Sequence, residues 1–278
     1  MSGPSHFVEI SEEEFLKEAL EIIEKAQSRG IYLRILGALA VYIHSLDKPA
    51  CINAFRSLGR FGEGKPLFTD LDLIGYSKQR KEITKLFEEM RFQPDRMVNV
   101  LFGDRRLIFY HPQNKYHVDV FLNKLEFSHD VLFGEKPGSG RLELDYPTIT
   151  LADIILEKLQ IHFINLKDLI DLIVLFMGHD VSEHANKDMI DGEYIAKVLS
   201  DDWGFWYDAI TNLNKAKSLA KTFLESGKLT EEQIKIIIER IDTLRKMIDN
   251  YPKTKNWEKR AKIGTNKPWY REVEEVVR

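Results

Sequence analysis

The spacing of apolar residues changes near residue 147. Before it, short apolar runs and alternating apolar and polar residues predict strands separated by helices. After it, apolar residues recur every three or four positions, which predicts helices over residues 151–163, 166–177, 191–199, 203–225 and 231–250. The pattern indicates an α+β protein: a mixed sheet with helices in a domain over residues 1–147, an all-helical domain over residues 148–251, and a basic C-terminal tail over residues 252–278.

Capping and turn residues divide the first half further. Ser11 and Glu14 predict the start of a first helix, and Gly30 predicts its end. Gly37 separates a short apolar strand from a second helix. The prolines and glycines of residues 47–67 predict a loop, a third helix is predicted over residues 77–90, and strands are predicted over residues 68–75, 97–102, 105–110 and 116–122.

The composition is that of an ordinary globular protein, with 44% hydrophobic and 30% charged residues. A formal net charge of −4 disfavours a protein whose main role is to coat nucleic acid, but leaves open a nucleic-acid acceptor on a local basic patch. Cys51 is the only cysteine, which excludes an internal disulfide and favours a reducing, cytoplasmic compartment. No apolar run approaches the roughly 20 residues that cross a bilayer, so we expect no membrane partner.

The candidate chemistry lies in three aspartates. Asp70 and Asp72 alternate with leucines along a predicted strand, so their side chains share one face about 7 Å apart. Asp119 alternates with valines on a later strand. If the two strands are neighbours, three carboxylates converge on one patch, and such oxygen ligands suit a pair of divalent cations in phosphoryl transfer. Like charges so close are costly without a cation.

Other interpretations of these residues stay open. An Asp-x-Asp pattern is common on half-exposed strands, and residues 143–145, Glu-Leu-Asp, have the same form. His179 and Asp180 resemble the His-Asp pair of metal phosphohydrolases, but the further ligands of such a site are not found. Trp257 and Trp269 of the basic tail suit either stacking on an RNA acceptor or, as we favour, docking of the tail on the protein.

A glycine between the first strand and the second helix adds a phosphate site. Gly37 lets the backbone approach a phosphate, and the helix start at Ala38 offers free N–H groups, although a tight turn alone would also account for this glycine. The order of these features resembles the DNA polymerase β-like nucleotidyltransferase superfamily, over about residues 10–178. The resemblance implies the nucleotidyltransferase fold, a bound NTP, and Mg²⁺ or Mn²⁺ held by Asp70, Asp72 and Asp119.

Within that superfamily, the helical half is similar to AbiEii-type bacterial nucleotidyltransferases. Residues 151–160, Leu-Ala-Asp-Ile-Ile-Leu-Glu-Lys-Leu-Gln, and residues 167–172, Lys-Asp-Leu-Ile-Asp-Leu, carry the similarity. It implies that Lys158 serves the nucleotide and that Asp168 supports the site. Lys158 also lies on the apolar side of its helix, where it must either snorkel to solvent or pair with an anion such as a triphosphate. Lys167 and Asp171 are interpreted as a surface ion pair.

These features together predict a metal-dependent nucleotidyltransferase that moves a nucleoside monophosphate from an NTP to an acceptor. The AbiEii resemblance implies a toxin-like enzyme with a tRNA or protein acceptor, and leaves an antitoxin or a homo-oligomer as possible partners. Ala38 stands where the family usually has a second glycine or serine, so a weakly active or inactive binding protein is an alternative. A nucleotidyltransferase acting on a cationic antibiotic is another, because the chain is acidic overall.

Overall fold

The computed structural model describes residues 8–60, 67–183 and 188–272. Its helices are α1 (Glu12–Gln27), α2 (Gly37–Ser45), α3 (Pro49–Ser57), α4 (Arg80–Glu89), α5 (Arg96–Leu101), α6 (Leu151–Leu159), α7 (Leu166–Gly178), α8 (Gly192–Leu199), α9 (Trp203–Glu225), α10 (Glu231–Asn250) and α11 (Lys255–Ala261). Its strands are β1 (Leu33–Ile35), β2 (Asp70–Gly75), β3 (Gln93–Pro94), β4 (Arg106–Tyr110), β5 (His117–Leu122), β6 (Lys124–Glu126), β7 (Asp130–Leu132), β8 (Val181–Ser182) and β9 (Ile190–Asp191). The predicted α+β class is confirmed. In the described ranges, no helix is both long and apolar enough to cross a membrane.

The main sheet has five strands in the order β1-β2-β5-β4-β3. Only β2 and β5 run parallel, and every other pair in this sheet is antiparallel, so the sheet is mixed. Leu71 and Leu73 of β2 lie beside Val118 and Val120 of β5, and all four side chains are buried. Because side chains alternate between the faces of a strand, the acids of β2 and β5 lie together on the other face.

Two predicted segments differ from the structure. Of the predicted loop over residues 47–67, residues 61–66 lie outside the described residues, and residues 49–57 form helix α3. Its first residue, Pro49, needs no N–H partner at that position, and its Phe55 is buried in the core. Residues 97–102 lie mostly in helix α5 rather than in a strand, with Asp95 as the N-cap that accepts from the Val98 N–H. Val100 of α5 is 82% exposed, so the alternating apolar pattern there does not mark a buried face.

The helical half packs directly against the sheet half. Helix α7 contacts α2 and α3, and the buried apolar side chains of both halves form one core. The chain also pairs with the sheet just after residue 147: Ile149 donates its N–H to the Ile35 carbonyl at 3.0 Å. Helices α6 and α7 are therefore held over α2, and this arrangement positions the site described below.

The C-terminal tail is docked on the helices as far as residue 272. Trp257 of α11 packs edge-on against Trp206 of α9, with ring centroids 5.1 Å apart. Trp269 donates its indole N–H to the buried Asp208 carboxylate at 3.0 Å. Docking by the tryptophans, the favoured interpretation of this segment, is confirmed for them. The rest of the predicted tail, residues 273–278, lies outside the described residues.

A buried histidine at the end of α7 makes stability depend on pH. His179 is 2% exposed, and burial lowers the pKa of its imidazole to about 4. The unfolded chain, with a histidine pKa near 6.5, therefore binds the proton more readily between those two values. We expect His179 to cost about 3 kcal/mol of the free energy of unfolding as the pH falls from about 7 to 4. Urea unfolding over this range should show a shallower loss for His179→Gln, and equal slopes would contradict the assignment.

Candidate active site

The parallel pairing of β2 and β5 brings the three aspartates together. Asp72 and Asp119 are direct partners in the register, and Asp70 lies two residues before Asp72 on the same face. The predicted neighbourhood of the two strands is thereby confirmed. The three differ in environment: Asp70 is exposed, Asp72 is half-buried and Asp119 is 3% exposed. Asp70 also lies opposite His117, whose Nε2 is 4.0 Å from the Asp70 carboxylate.

The start of α2 approaches Asp72 closely. Gly37 has φ +69°, a conformation that L side chains rarely adopt, and a Cβ at this residue would lie 3.0 Å from Asp72 Oδ2. The Leu36 N–H donates to the Asp72 carbonyl at 3.1 Å, which fixes the turn on the strand. The positive φ therefore favours glycine at residue 37, and the start of α2 lies close to the Asp72 side chain.

A cleft of about 240 Å³ opens over this face. Its walls come from the start of α2 with Gly37 and Ala38, from the start of β2, from the end of α6, and from the start of α7. Phe121 and Phe127 add an aromatic side, with ring centroids 5.6 Å apart. Of the predicted site residues, the lining includes Gly37, Ala38, Asp70, Asp72, Lys158 and Asp168.

Negative charge accumulates at Asp72. Burial raises the pKa of this carboxyl well above its usual value, and the charges of Asp70, Asp119 and Glu157 raise it further, while Lys158 opposes them. A bound cation would relieve this repulsion, because an opposite charge nearby favours the ionised carboxylate. The carboxylate oxygens of Asp70 and Asp72 are the kind of donor that Mg²⁺ or Mn²⁺ prefers, so these two residues fit such an ion.

Asp119 does not offer its oxygens in the same way. Arg106 of β4 donates from Nε to Asp119 Oδ1 at 2.6 Å and from Nη2 to Asp119 Oδ2, so both oxygens accept from one guanidinium. Among the residues that the structure describes, no three His, Cys, Asp or Glu side chains form a ready-made metal site. The role of Asp119 in completing the metal site therefore stays a prediction: it lies beside Asp72, but both of its carboxylate oxygens already accept from an arginine.

Glu157 is a site residue that sequence reasoning missed. Its Oε2 accepts from the Gly37 N–H at 3.1 Å, the donor that was expected to meet a phosphate. Burial raises the pKa of the Glu157 carboxyl, although the neighbouring Lys158 charge lowers it. A carboxylate therefore stands where a phosphate oxygen was expected. The available signal in the sequence is an acid directly before Lys158 in a largely apolar helix, and the structure shows that every residue of α6 is buried.

Lys158 and Asp168 are in contact with each other. Lys158 Nζ lies 3.0 Å from Asp168, 3.1 Å from Glu157 and 3.2 Å from Asp171, and the side chain is 5% exposed. Burial lowers the pKa of Lys158, but the three carboxylates outweigh this and hold it well above its usual value. Lys158 is thus a permanent cation at the wall of the cleft, and its role toward a nucleotide stays a prediction.

The interpretation of Lys167 and Asp171 as a surface ion pair is wrong. Asp171 is fully buried and accepts from Arg60 at 2.8 and 3.1 Å, as well as lying beside Lys158. Lys167 lines the cleft instead. An i,i+4 spacing shows that two residues share a helix face, but not whether that face is exposed. The acids behind the cleft are Glu157, Asp168 and Asp171: Lys158 contacts all three, and Arg60 pairs with Asp171.

Comparisons with known proteins add nothing to this geometry. A scan against protein-family models, a search of curated proteins and a search of solved structures each returned no match.

Proposed function

We propose that the protein is a Mg²⁺- or Mn²⁺-dependent nucleotidyltransferase, which transfers a nucleoside monophosphate from an NTP to an acceptor hydroxyl. One observation carries the proposal: Asp70 and Asp72 face a cleft beside the N-terminus of α2, next to the parallel strand that bears Asp119. The resemblance of these motifs to the DNA polymerase β-like superfamily, and of α6 and α7 to AbiEii-type enzymes, supports the same conclusion. The helix N-terminus suits an anionic ligand.

Each residue of the site has a separate role in the proposed transfer. Asp70 and Asp72 would hold the divalent ion. When bound, this ion would neutralise part of the negative charge of the triphosphate. The start of α2 and the positive Lys158 favour the phosphates electrostatically. In the transfer, the acceptor oxygen bonds to the α-phosphorus, the bond from that phosphorus to the bridging oxygen breaks, and pyrophosphate leaves. The hydroxyl proton passes to a carboxylate of this acidic face.

The test is transfer of label from α-³²P-labelled NTPs with Mg²⁺. Separate reactions receive cell RNA, cell protein and cationic hydroxylated small molecules, which distinguishes the acceptor classes. We expect label in one acceptor fraction, no label with EDTA, and no label with Asp70→Asn. Asp104→Asn is the matched control, since Asp104 is an acid with a 72% exposed side chain outside the cleft. Absence of label in every fraction, with no Mg²⁺-dependent NTP binding by calorimetry, would contradict the proposal.

A second candidate is a catalytically inactive binding protein that uses the same cleft. Two contacts favour it: Glu157 accepts from the Gly37 N–H, and Arg106 engages Asp119. These contacts engage the Gly37 N–H and the Asp119 carboxylate, two groups that catalysis would use. This candidate predicts that the protein binds an NTP or a partner without transferring label, so the same calorimetric and labelling experiments separate the two functions.

A further inference from the structure

Asp119 is paired with a positively charged side chain, the guanidinium of Arg106. Arg106 and Asp119 lie on adjacent antiparallel strands, one diagonal step apart in the register. The guanidinium meets both carboxylate oxygens in a bidentate pair, the geometry in which arginine binds carboxylates most strongly. It also lies over the ring of Phe121, 5.2 Å from the centroid, so the side chain is held on two sides.

The same guanidinium faces the whole acidic group. Burial lowers the pKa of Arg106, but the hydrogen bond to Asp119 and the charges of Asp119, Asp72 and Asp70 outweigh it and raise the pKa overall. Arg106 is therefore a fixed counter-charge to all three aspartates. Its side chain is 32% exposed, and that of Asp119 is 4% exposed, so Asp119 is the more deeply buried member of the pair.

The charge balance limits how many ions the face can take. Of the other charges that act on Asp72, those of Glu157 and Lys158 oppose each other. The three aspartates and the Arg106 guanidinium then leave two negative charges, which a single divalent cation neutralises. A second ion would have to share Asp119 with Arg106, and cations so close together repel each other strongly in a partly buried site. Asp70 and Asp72 line the cleft, whereas Asp119 is not among the residues that line it.

We propose that this site binds one divalent cation, at Asp70 and Asp72, and that Arg106 takes the place of a second cation as the positive partner of Asp119. This inference rests on the proposed nucleotidyl transfer, because it assigns the ions of that same site. It makes Arg106 a positioning residue that keeps Asp119 in place beside Asp72 and sets the number of ions.

The test counts Mn²⁺ ions bound by the full chain, by electron paramagnetic resonance of free Mn²⁺ during a titration. We expect one ion per chain for the unchanged protein and for Arg106→Lys, which keeps the charge. Arg106→Gln frees Asp119 and removes one positive charge, so it should bind two. Arg105→Gln is the matched control, because Arg105 is the preceding residue, has a 64% exposed side chain and contacts Asp104 and Glu126 instead.

If Arg106→Gln does not fold, a double variant still tests whether Arg106 sets the number of bound ions. The double variant Arg106→Gln/Asp119→Asn has no unpaired buried charge and should bind one ion, as the unchanged protein does. Two ions in the unchanged protein, with or without a change in the variants, would overturn the inference and leave the proposed function standing. Absence of Mn²⁺ binding in the unchanged protein, together with absence of label transfer, would overturn both.

Discussion

Replacement of Asp72 by asparagine should abolish nucleotidyl transfer and at the same time stabilise the metal-free protein. Asp72 is the carboxylate nearest the centre of the acidic face, since it lies beside Asp119 and two residues from Asp70. Removal of one group that stabilises the charge of a transition state typically costs about 10²–10³ in rate, and loss of a ligand to the metal ion should cost at least as much. Stability should rise because the pKa of Asp72 is held well above its usual value, so its charge at neutral pH opposes folding.

The two effects can be separated by thermal unfolding with and without Mg²⁺. In EDTA, Asp72→Asn should unfold at a higher temperature than the unchanged protein. Addition of Mg²⁺ should stabilise the unchanged protein by mass action and leave the variant nearly unaffected. Asp104→Asn, which removes an exposed acid, should alter neither rate nor metal response. Retained transfer activity in Asp72→Asn would remove this aspartate from the mechanism, whatever its stability.

The acidic face could be predicted from sequence because the relevant signals are local. Alternation of acid and apolar residues in β2 and β5 shows which side chains share a face, and this depends only on strand geometry. The cap residues of α1 and the turn at Gly37 were equally local. The parallel pairing of β2 with β5 is not a local property, and no spacing along the chain decides that the two strands are neighbours.

The contact partners of the charged side chains around the cleft could not be predicted in the same way. Glu157 meets a backbone N–H 120 residues earlier, and Arg60 meets Asp171 across 111 residues, so no pattern within a helix or loop reveals either contact. Arg106 is closer in sequence, 13 residues from Asp119, but its register depends on how β4 pairs with β5. Whether an acid is free or paired is decided by tertiary packing, and this is why Asp171 was placed at the surface.

Replacement of Lys158 by methionine should lower the free energy of unfolding by several kcal/mol. Its Nζ lies within 3.2 Å of carboxylates from Glu157, Asp168 and Asp171. Lys158→Met keeps most of the apolar stem but leaves these acids without their shared cation in a buried site. Removal of one partner from a buried ion pair typically costs about 3–5 kcal/mol. We expect a loss of this size in the free energy of unfolding at pH 7, measured with urea.

Protonation or removal of the acids should restore part of that loss. The double variant Lys158→Met/Asp168→Asn carries one uncompensated charge fewer, so it should be more stable than the single variant. Lys217→Met is the control, because the Lys217–Asp242 pair is on the surface and such pairs are worth roughly 0–1 kcal/mol. Equal small losses for the two single variants would show that solvent, rather than Lys158, neutralises the acids behind the cleft. In that case Lys158 would be well hydrated and would attract a triphosphate only weakly. The acids behind the cleft and the nucleotide both depend on the buried charge of Lys158.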